Sequence, residues 1–226
     1  MRKRIWMASV AAMVTLFALL QASFIAWASS PLDDTPSEMT SGTTDSLDVA
    51  LGDFDNDGDL DLASYGENNV VVYENINGEL GGTAVWTSTE STCTSGRVMW
   101  ADINNDDYPE QFASQGIYEN SNGALSATAV RASLSTADVF ELGDVNGDGF
   151  VDLLLGRTGL VELYESSAGT VDEIPDWNTT EENSPRALAL WDPDNDNFDE
   201  IVVCNSESQP MRIYDNVGGS LGNISI

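Results

Sequence analysis

The stretch Asp53-Phe54-Asp55-Asn56-Asp57-Gly58-Asp59-Leu60-Asp61 decides the fold, because the chain writes it four times. The other copies run from Asp102 to Glu110, from Asp144 to Asp152 and from Asp192 to Glu200. In every copy, positions 1, 3, 5 and 9 carry a carboxylate or an amide oxygen. Position 6 holds Gly58, Asp107, Gly149 and Asn197, residue types that tolerate the left-handed backbone of a sharp turn. An acidic surface turn is the plain reading of any one copy, since Asp, Asn and Gly favour turns. Four copies in register, with starts 49, 42 and 48 residues apart, instead mark a repeat protein.

More than the loop recurs. An apolar run precedes each copy: Leu47 to Leu51, Val98 to Ala101, Val139 to Leu142 and Ala187 to Trp191. A second follows: Leu62-Ala63, Phe112-Ala113, Leu153 to Leu155 and Ile201 to Val203. A third ends in Tyr73, Tyr118, Tyr164 or Tyr214 and runs into a turn such as Glu74-Asn75-Ile76-Asn77-Gly78. A more polar fourth, such as Thr83 to Thr87, lies between repeats. These runs are short, β-branched or aromatic, and bounded by Gly, Asn and Asp, with no sustained 3.6-residue period. Four short strands per unit is the arithmetic of a β-propeller blade, and a blade buries its faces only by stacking on neighbours. The tyrosines, and Trp86, Trp100, Trp177 and Trp191 near repeat boundaries, are expected to pack between blades.

The 226-residue chain has a formal net charge of −30, from 38 acidic and 8 basic residues. Residues 1–28 hold Arg2, Lys3 and Arg4 and no acid, so the remainder stands at −33. Nucleic acid is excluded as a partner, since phosphate binding needs a basic face. An anionic membrane surface is disfavoured for the same reason. Hydrophobic residues make up 42% in regular patterns, which argues against disorder. Fourteen acids fall at loop ligand positions, and a salt-adapted source would account for the others. Residues 1–28 read as an export signal, with Arg2-Lys3-Arg4 before the apolar run Ile5 to Leu20 and Ala26-Trp27-Ala28 as the cleavage site. An uncleaved anchor is the alternative, and the only expected link to a membrane. Either way the repeats lie outside the cell, secreted or at its surface. Residues 29–36 read as a linker and 37–226 as the repeats. Cys93 and Cys204 fall differently within the repeat frame, so symmetry does not imply a disulfide.

Asp-x-Asp-x-Asp-Gly-x-x-Asp-Leu after an apolar strand, followed by a strand and Tyr-x-Asn-x-x-Gly, resembles the FG-GAP/VCBS repeat. The resemblance covers roughly residues 37 to 221. It implies an all-β fold of four-stranded antiparallel blades, as in the calcium-bearing propellers of integrin α-chain heads and many secreted microbial proteins. That family typically closes seven blades, and this sequence contains four. The C-terminal Leu221-Gly222-Asn223-Ile224-Ser225-Ile226 aligns with Leu80-Gly81-Gly82-Thr83-Ala84-Val85, another outer strand. Two readings stay open: part of a larger propeller, or a four-bladed ring closed beside Ser37 to Met39. An open end would leave a blade face bare and invite self-association.

Calcium takes six to eight oxygens at about 2.3–2.6 Å, and alternate residues of a tight loop can converge on one point. The expected side-chain ligands are Asp53, Asp55, Asp57 and Asp61; Asp102, Asn104, Asp106 and Glu110; Asp144, Asn146, Asp148 and Asp152; and Asp192, Asp194, Asp196 and Glu200. Position 7 adds the carbonyls of Asp59, Tyr108, Phe150 and Phe198. The loop opens like an EF-hand, but that motif needs a Glu at position 12 and flanking helices. Position 12 is Ser64, Ala113, Leu155 and Val203, so the EF-hand is rejected. The first and third loops, with Gly at position 6, are expected to fit best; Pro109 and Pro193 set the second and fourth apart. The sequence has no histidine, no nucleophile elbow and no phosphate loop. The expectation is therefore a non-catalytic, extracellular calcium-binding protein that serves adhesion, surface assembly or ligand binding, with a protein or glycan partner. A polysaccharide-cleaving propeller, or a fragment of a larger secreted repeat protein, is the alternative.

Overall fold

The computed structural model describes residues 45–66, 69–89, 96–131, 137, 139–206 and 208–225. The expected export segment, the linker, the strand near Ser37 to Met39 and Cys93 lie outside them. The described residues form strands and turns, with no helix long and apolar enough to cross a membrane.

The first blade consists of β1 (Ser46–Gly52), β2 (Asp61–Gly66), β3 (Val70–Tyr73), a small hairpin of β4 (Asn75–Ile76) and β5 (Glu79–Leu80), and β6 (Trp86–Thr87). The second holds β7 (Val98–Ala101), β8 (Glu110–Ala113) and β9 (Gly116–Tyr118), with Arg131 bridging to Ile117 where a fourth strand would run. The third repeats the first with β10 (Val139–Gly143), β11 (Asp152–Arg157), β12 (Leu160–Tyr164), β13 (Ser166–Ser167), β14 (Thr170–Val171) and β15 (Trp177–Asn178). The fourth has β16 (Pro185–Trp191), β17 (Glu200–Asn205), β18 (Arg212–Asn216) and β19 (Leu221–Ser225). Pairing is antiparallel throughout, in the orders β1-β2-β3-β6, β7-β8-β9, β10-β11-β12-β15 and β16-β17-β18-β19. The C-terminal Leu221 pairs with Asn216 as Leu80 pairs with Asn75, so that segment is the outer strand of the fourth blade itself.

Side-chain alternation along the first strand of each blade explains the stacking. Counted back from the first loop Asp, even positions face the preceding blade and odd positions the following one. Thus Ala50 and Gly52 meet Val98 and Trp100 of the second blade in a core with Phe54, Ala63 and Tyr65. Met99, Ala101 and Ile103 meet Phe140 and Leu142 of the third. Val139, Gly143 and Val145 meet Leu188 and Leu190 of the fourth. Each large apolar side chain so buried contributes about 1.5–3 kcal/mol, and no blade has such a core without its neighbour.

The outer edge carries a second row of joints. Trp86 stands edge-on to Tyr118 at 4.9 Å, and Trp177 edge-on to Tyr214 at 5.3 Å. Between the second and third blades Arg131 takes the tryptophan's place and lies 4.5 Å over the Tyr164 ring. Trp100 stacks on Phe54 at 6.3 Å. All four repeat tyrosines are buried. Trp191 corrects the packing expectation: it is 53% exposed, because it faces the side where the described blades offer no neighbour.

Candidate metal centre

Each acidic loop joins the first two strands of its blade and is wound by its own side chains. The position 1 carboxylate accepts the backbone N–H groups of positions 5 and 6: Asp57 and Gly58 on Asp53, Asp106 and Asp107 on Asp102, Asp148 and Gly149 on Asp144, and Asp196 and Asn197 on Asp192. Position 5 accepts the position 7 N–H in every copy, at 2.9 to 3.0 Å. Position 3 accepts the position 5 N–H in the last three copies, on Asn104, Asn146 and Asp194. A carboxylate has about four lone-pair sites, so these bonds aim the acids inward and leave acceptor capacity over.

The backbone is left-handed at position 6 whatever the residue: φ is 97° at Gly58, 71° at Asp107, 89° at Gly149 and 73° at Asn197. Position 4 is left-handed as well, at Asn56, Asn105, Gly147 and Asn195. The left-handed turn at position 6 therefore forms with or without glycine. Carboxylate oxygens lie within 4.8 Å of one another in two groups among the described residues: Asp53, Asp55 and Asp61 in the first loop, and Asp192, Asp194 and Asp196 in the fourth. In the second and third loops position 3 is an amide, Asn104 or Asn146.

The position 9 acids, Asp61, Glu110, Asp152 and Glu200, open the second strands and are all at least 98% buried. They also tie the loop to the blade. Asp61 accepts the N–H of Phe54 at 3.1 Å and of Asn75 at 2.8 Å. Asp152 does the same with Val145 and Ser166, and Glu110 takes Ile103 and the Asn104 amide. The fourth copy differs for a covalent reason. Its position 2 is Pro193, which has no N–H, and neither oxygen of Glu200 meets a hydrogen-bond donor. An orphaned buried carboxylate in the same loop as three converging acids is a donor set that fits a hard cation. Asp55 likewise has a buried oxygen without a partner.

Burial sets the electrostatics. It pushes Glu110 up to about 7 and Asp152 up to about 6, against the pull of the N–H groups they accept. Burial also raises Asp55, Asp61 and Glu200, with neighbouring loop acids adding to each shift. Without a counter-charge, these loops hold negative charge at a cost.

The Tyr-x-Asn segment does more than turn the chain. Asn120 donates through its amide nitrogen to Pro109 O of its own loop at 3.0 Å and to Phe54 O of the preceding loop at 2.7 Å. Asn216 does the same to Asp199 O and Val145 O. In the third blade Ser166 replaces the amide and reaches only its own loop, at Val151 O. The hairpin glycines follow the same geometry. A β-carbon on Gly123 would come within 3.0 Å of Asp55, one on Gly169 would collide with Asn104, and one on Gly219 would stand 2.9 Å from Asn146 O. Each hairpin thus seats on position 3 of the loop before it. The recurring Asn and Gly were visible in the sequence, but their partners lie up to 71 residues away.

No curated protein matches this sequence. Among solved structures, an Agrocybe aegerita lectin with specific recognition of non-reducing terminal N-acetylglucosamine is similar in fold, with a TM-score of 0.50 at 17% identity over 76% of this chain and 49% of that one. The chain spans about half the length of that structure. The profile of the FG-GAP-like repeat matches residues 53–113 and 144–203, in each case from one acidic loop through the next and into the strand after it. More than half of the sequence is covered in this way, and the chain belongs to the FG-GAP-like repeat family.

Proposed function

We propose that the acidic loops bind calcium and that the protein is a non-catalytic, extracellular propeller that presents a face to a protein or glycan partner, in adhesion, surface assembly or ligand binding. The observation that carries this reading is the convergence of Asp192, Asp194 and Asp196 in the loop whose position 9 acid, Glu200, is buried without a hydrogen-bond partner. In the first loop the converging group is Asp53, Asp55 and Asp61, positions 1, 3 and 9, so the position 9 acid itself takes part. In the second and third, Asn104 and Asn146 would add a neutral oxygen, which favours weaker sites. Calcium would supply the positive charge that these loops lack, and the loop residues would exchange mutual repulsion for a shared ligand. Binding to the folded chain alone then stabilises it by mass action.

A cleft of about 280 Å³ between the second and third blades is lined by the apolar Ile103, Ile117 and Val171 and by Asn104, Arg131 and Thr170, with the acids Glu110 and Glu119 also in its lining. That mixture suits a small polar ligand such as one sugar unit. Calcium titration calorimetry on the metal-stripped full chain tests the central claim. Two to four sites are expected, with affinity above that for magnesium. Asp55→Ala combined with Asp194→Ala, which takes the position 3 oxygen away altogether, should remove the first and fourth. Unchanged stoichiometry in that variant would refute the loop assignment.

A further inference from the structure

The two end blades carry complementary halves of one joint. On the first blade, Leu47, Val49 and Leu51 are 42%, 58% and 63% exposed. They occupy the even positions that bury Val98 and Trp100, Phe140 and Leu142, and Leu188 and Leu190 against a preceding blade. Leu60 is 56% exposed at the position where Val151 packs into the core between the second and third blades. The hairpin glycine Gly78, at φ 86°, has nothing within 4 Å of an added β-carbon, whereas Gly123, Gly169 and Gly219 each sit on a loop. Asn75 donates to Leu60 O of its own loop and finds no carbonyl of the kind that Asn120 and Asn216 reach. Tyr73, farther out on this blade, is already buried and lies outside the patch.

The fourth blade has the other half. Ala187, Ala189 and Trp191 occupy the odd positions that in earlier blades meet a following neighbour, and Val202 and Cys204 lie opposite Ala189 and Ala187 on the paired strand. Position 2 of its loop, Pro193, is exposed where Phe54, Ile103 and Val145 are buried. Among the described residues no hairpin glycine seats on Asp194. Proline lacks an N–H but keeps its carbonyl, so the acceptor used at Phe54 and Val145 is present at Pro193 as well.

We propose that these two faces mate between chains: the first blade of one copy docks on the fourth blade of a second copy, and two copies close a ring of eight blades. Val49 and Leu51 would pack on Ala189 and Trp191, Gly78 would seat on Asp194, and Asn75 would donate to Pro193 O. The contact follows the register of the three joints within the chain, with two differences: Trp191 stands where Gly52, Ala101 and Gly143 stand in those joints, and the outer ring contact is not repeated because Tyr73 is already buried. It is heterologous, and two such contacts close if the rotation is right. Eight blades lie within the range that propellers close.

Sedimentation equilibrium on the full chain in calcium buffer tests this. A species of twice the 24.3 kDa chain mass is expected to replace the monomer as concentration rises. Val49→Asp with Leu51→Asp, and separately Trp191→Asp, should each be monomeric with unchanged circular dichroism, since all three positions are exposed. Mixing the two variants should restore a dimer, because one undamaged joint can still form between them. A wild type that stays monomeric overturns the proposal, whether a segment of the same chain or nothing covers the patch. Growth without limit overturns the closed ring. A Trp191→Asp variant that still dimerises overturns the head-to-tail contact in favour of a face-to-face one.

Discussion

The position 9 acid has two roles that pull in opposite directions. It holds the loop to the strand by accepting backbone N–H groups, and it is buried where charge is disfavoured. Glu110 shows the consequence most clearly, raised from 4.5 to about 7, and Asp152 follows at about 6. A carboxyl whose folded value lies above its unfolded one contributes stability that is fully present below the unfolded value and lost as pH rises through the folded one. In chelator, the melting temperature is therefore expected to fall between about pH 4 and pH 7, and Glu110→Gln should flatten the upper part of that fall. Calcium should shrink it in the wild type. An equal pH slope in the two proteins, read by differential scanning calorimetry, would show that Glu110 is not its source.

Elements of the blade were legible because their chemistry is local. The period-2 runs marked strands, and Asn77-Gly78 and Asn122-Gly123 marked hairpin turns that take positive φ at both residues. The acidic loops were legible for the same reason: their hydrogen bonds span two to seven residues. What connects the blades was not. That Arg131 replaces a tryptophan, that Asn120 ties two loops and that Pro193 strips Glu200 of a donor all depend on contacts that spacing does not reveal. Trp191 stands one residue before its loop, where the other copies have Gly52, Ala101 and Gly143, and no described blade lies beside it. The hairpin seat gives the prediction at this scale. Gly169→Ala combines a strained φ of 83° with a collision against Asn104, whereas Gly159→Ala has a similar φ of 97° and open space. The first should destabilise by about 2–4 kcal/mol, adding overpacking to backbone strain. The second should cost about 1–2 kcal/mol from the left-handed backbone alone. Urea unfolding of the two variants gives the comparison, and equal losses would mean that the seat is not tight.

At the scale of the molecule, stability is a sum over blades and the joints between them. Those joints hold most of the buried apolar side chains. Against them stands a net charge of −30. Several of the arginines are committed to structure: Arg97 donates to Phe140 O across a joint, Arg131 lies over Tyr164, and Arg157 pairs with Glu162 at 2.9 Å. Self-repulsion of this size is long-ranged at low ionic strength and screened within about 10 Å at 0.1 M salt. Metal-free protein is expected to melt at higher temperature as sodium chloride rises from 10 mM to 500 mM. With calcium bound the gain should be smaller, because the densest acid clusters are then neutralised. A melting temperature insensitive to salt in chelator would remove charge repulsion from the account.

The ties that seat hairpins on loops all run the same way. The hairpin glycines and the asparagines Asn120 and Asn216 reach back onto a loop that precedes them in the chain. A polypeptide that emerges N-terminus first therefore meets each docking site after that site has been made. The first loop can wait, wound on its own carboxylates, until the second blade arrives to clasp it, and the same order holds at each later joint. Assembly is therefore expected to run as a ratchet in the direction of synthesis, in which each new repeat secures the one before it and presents the next unfinished edge.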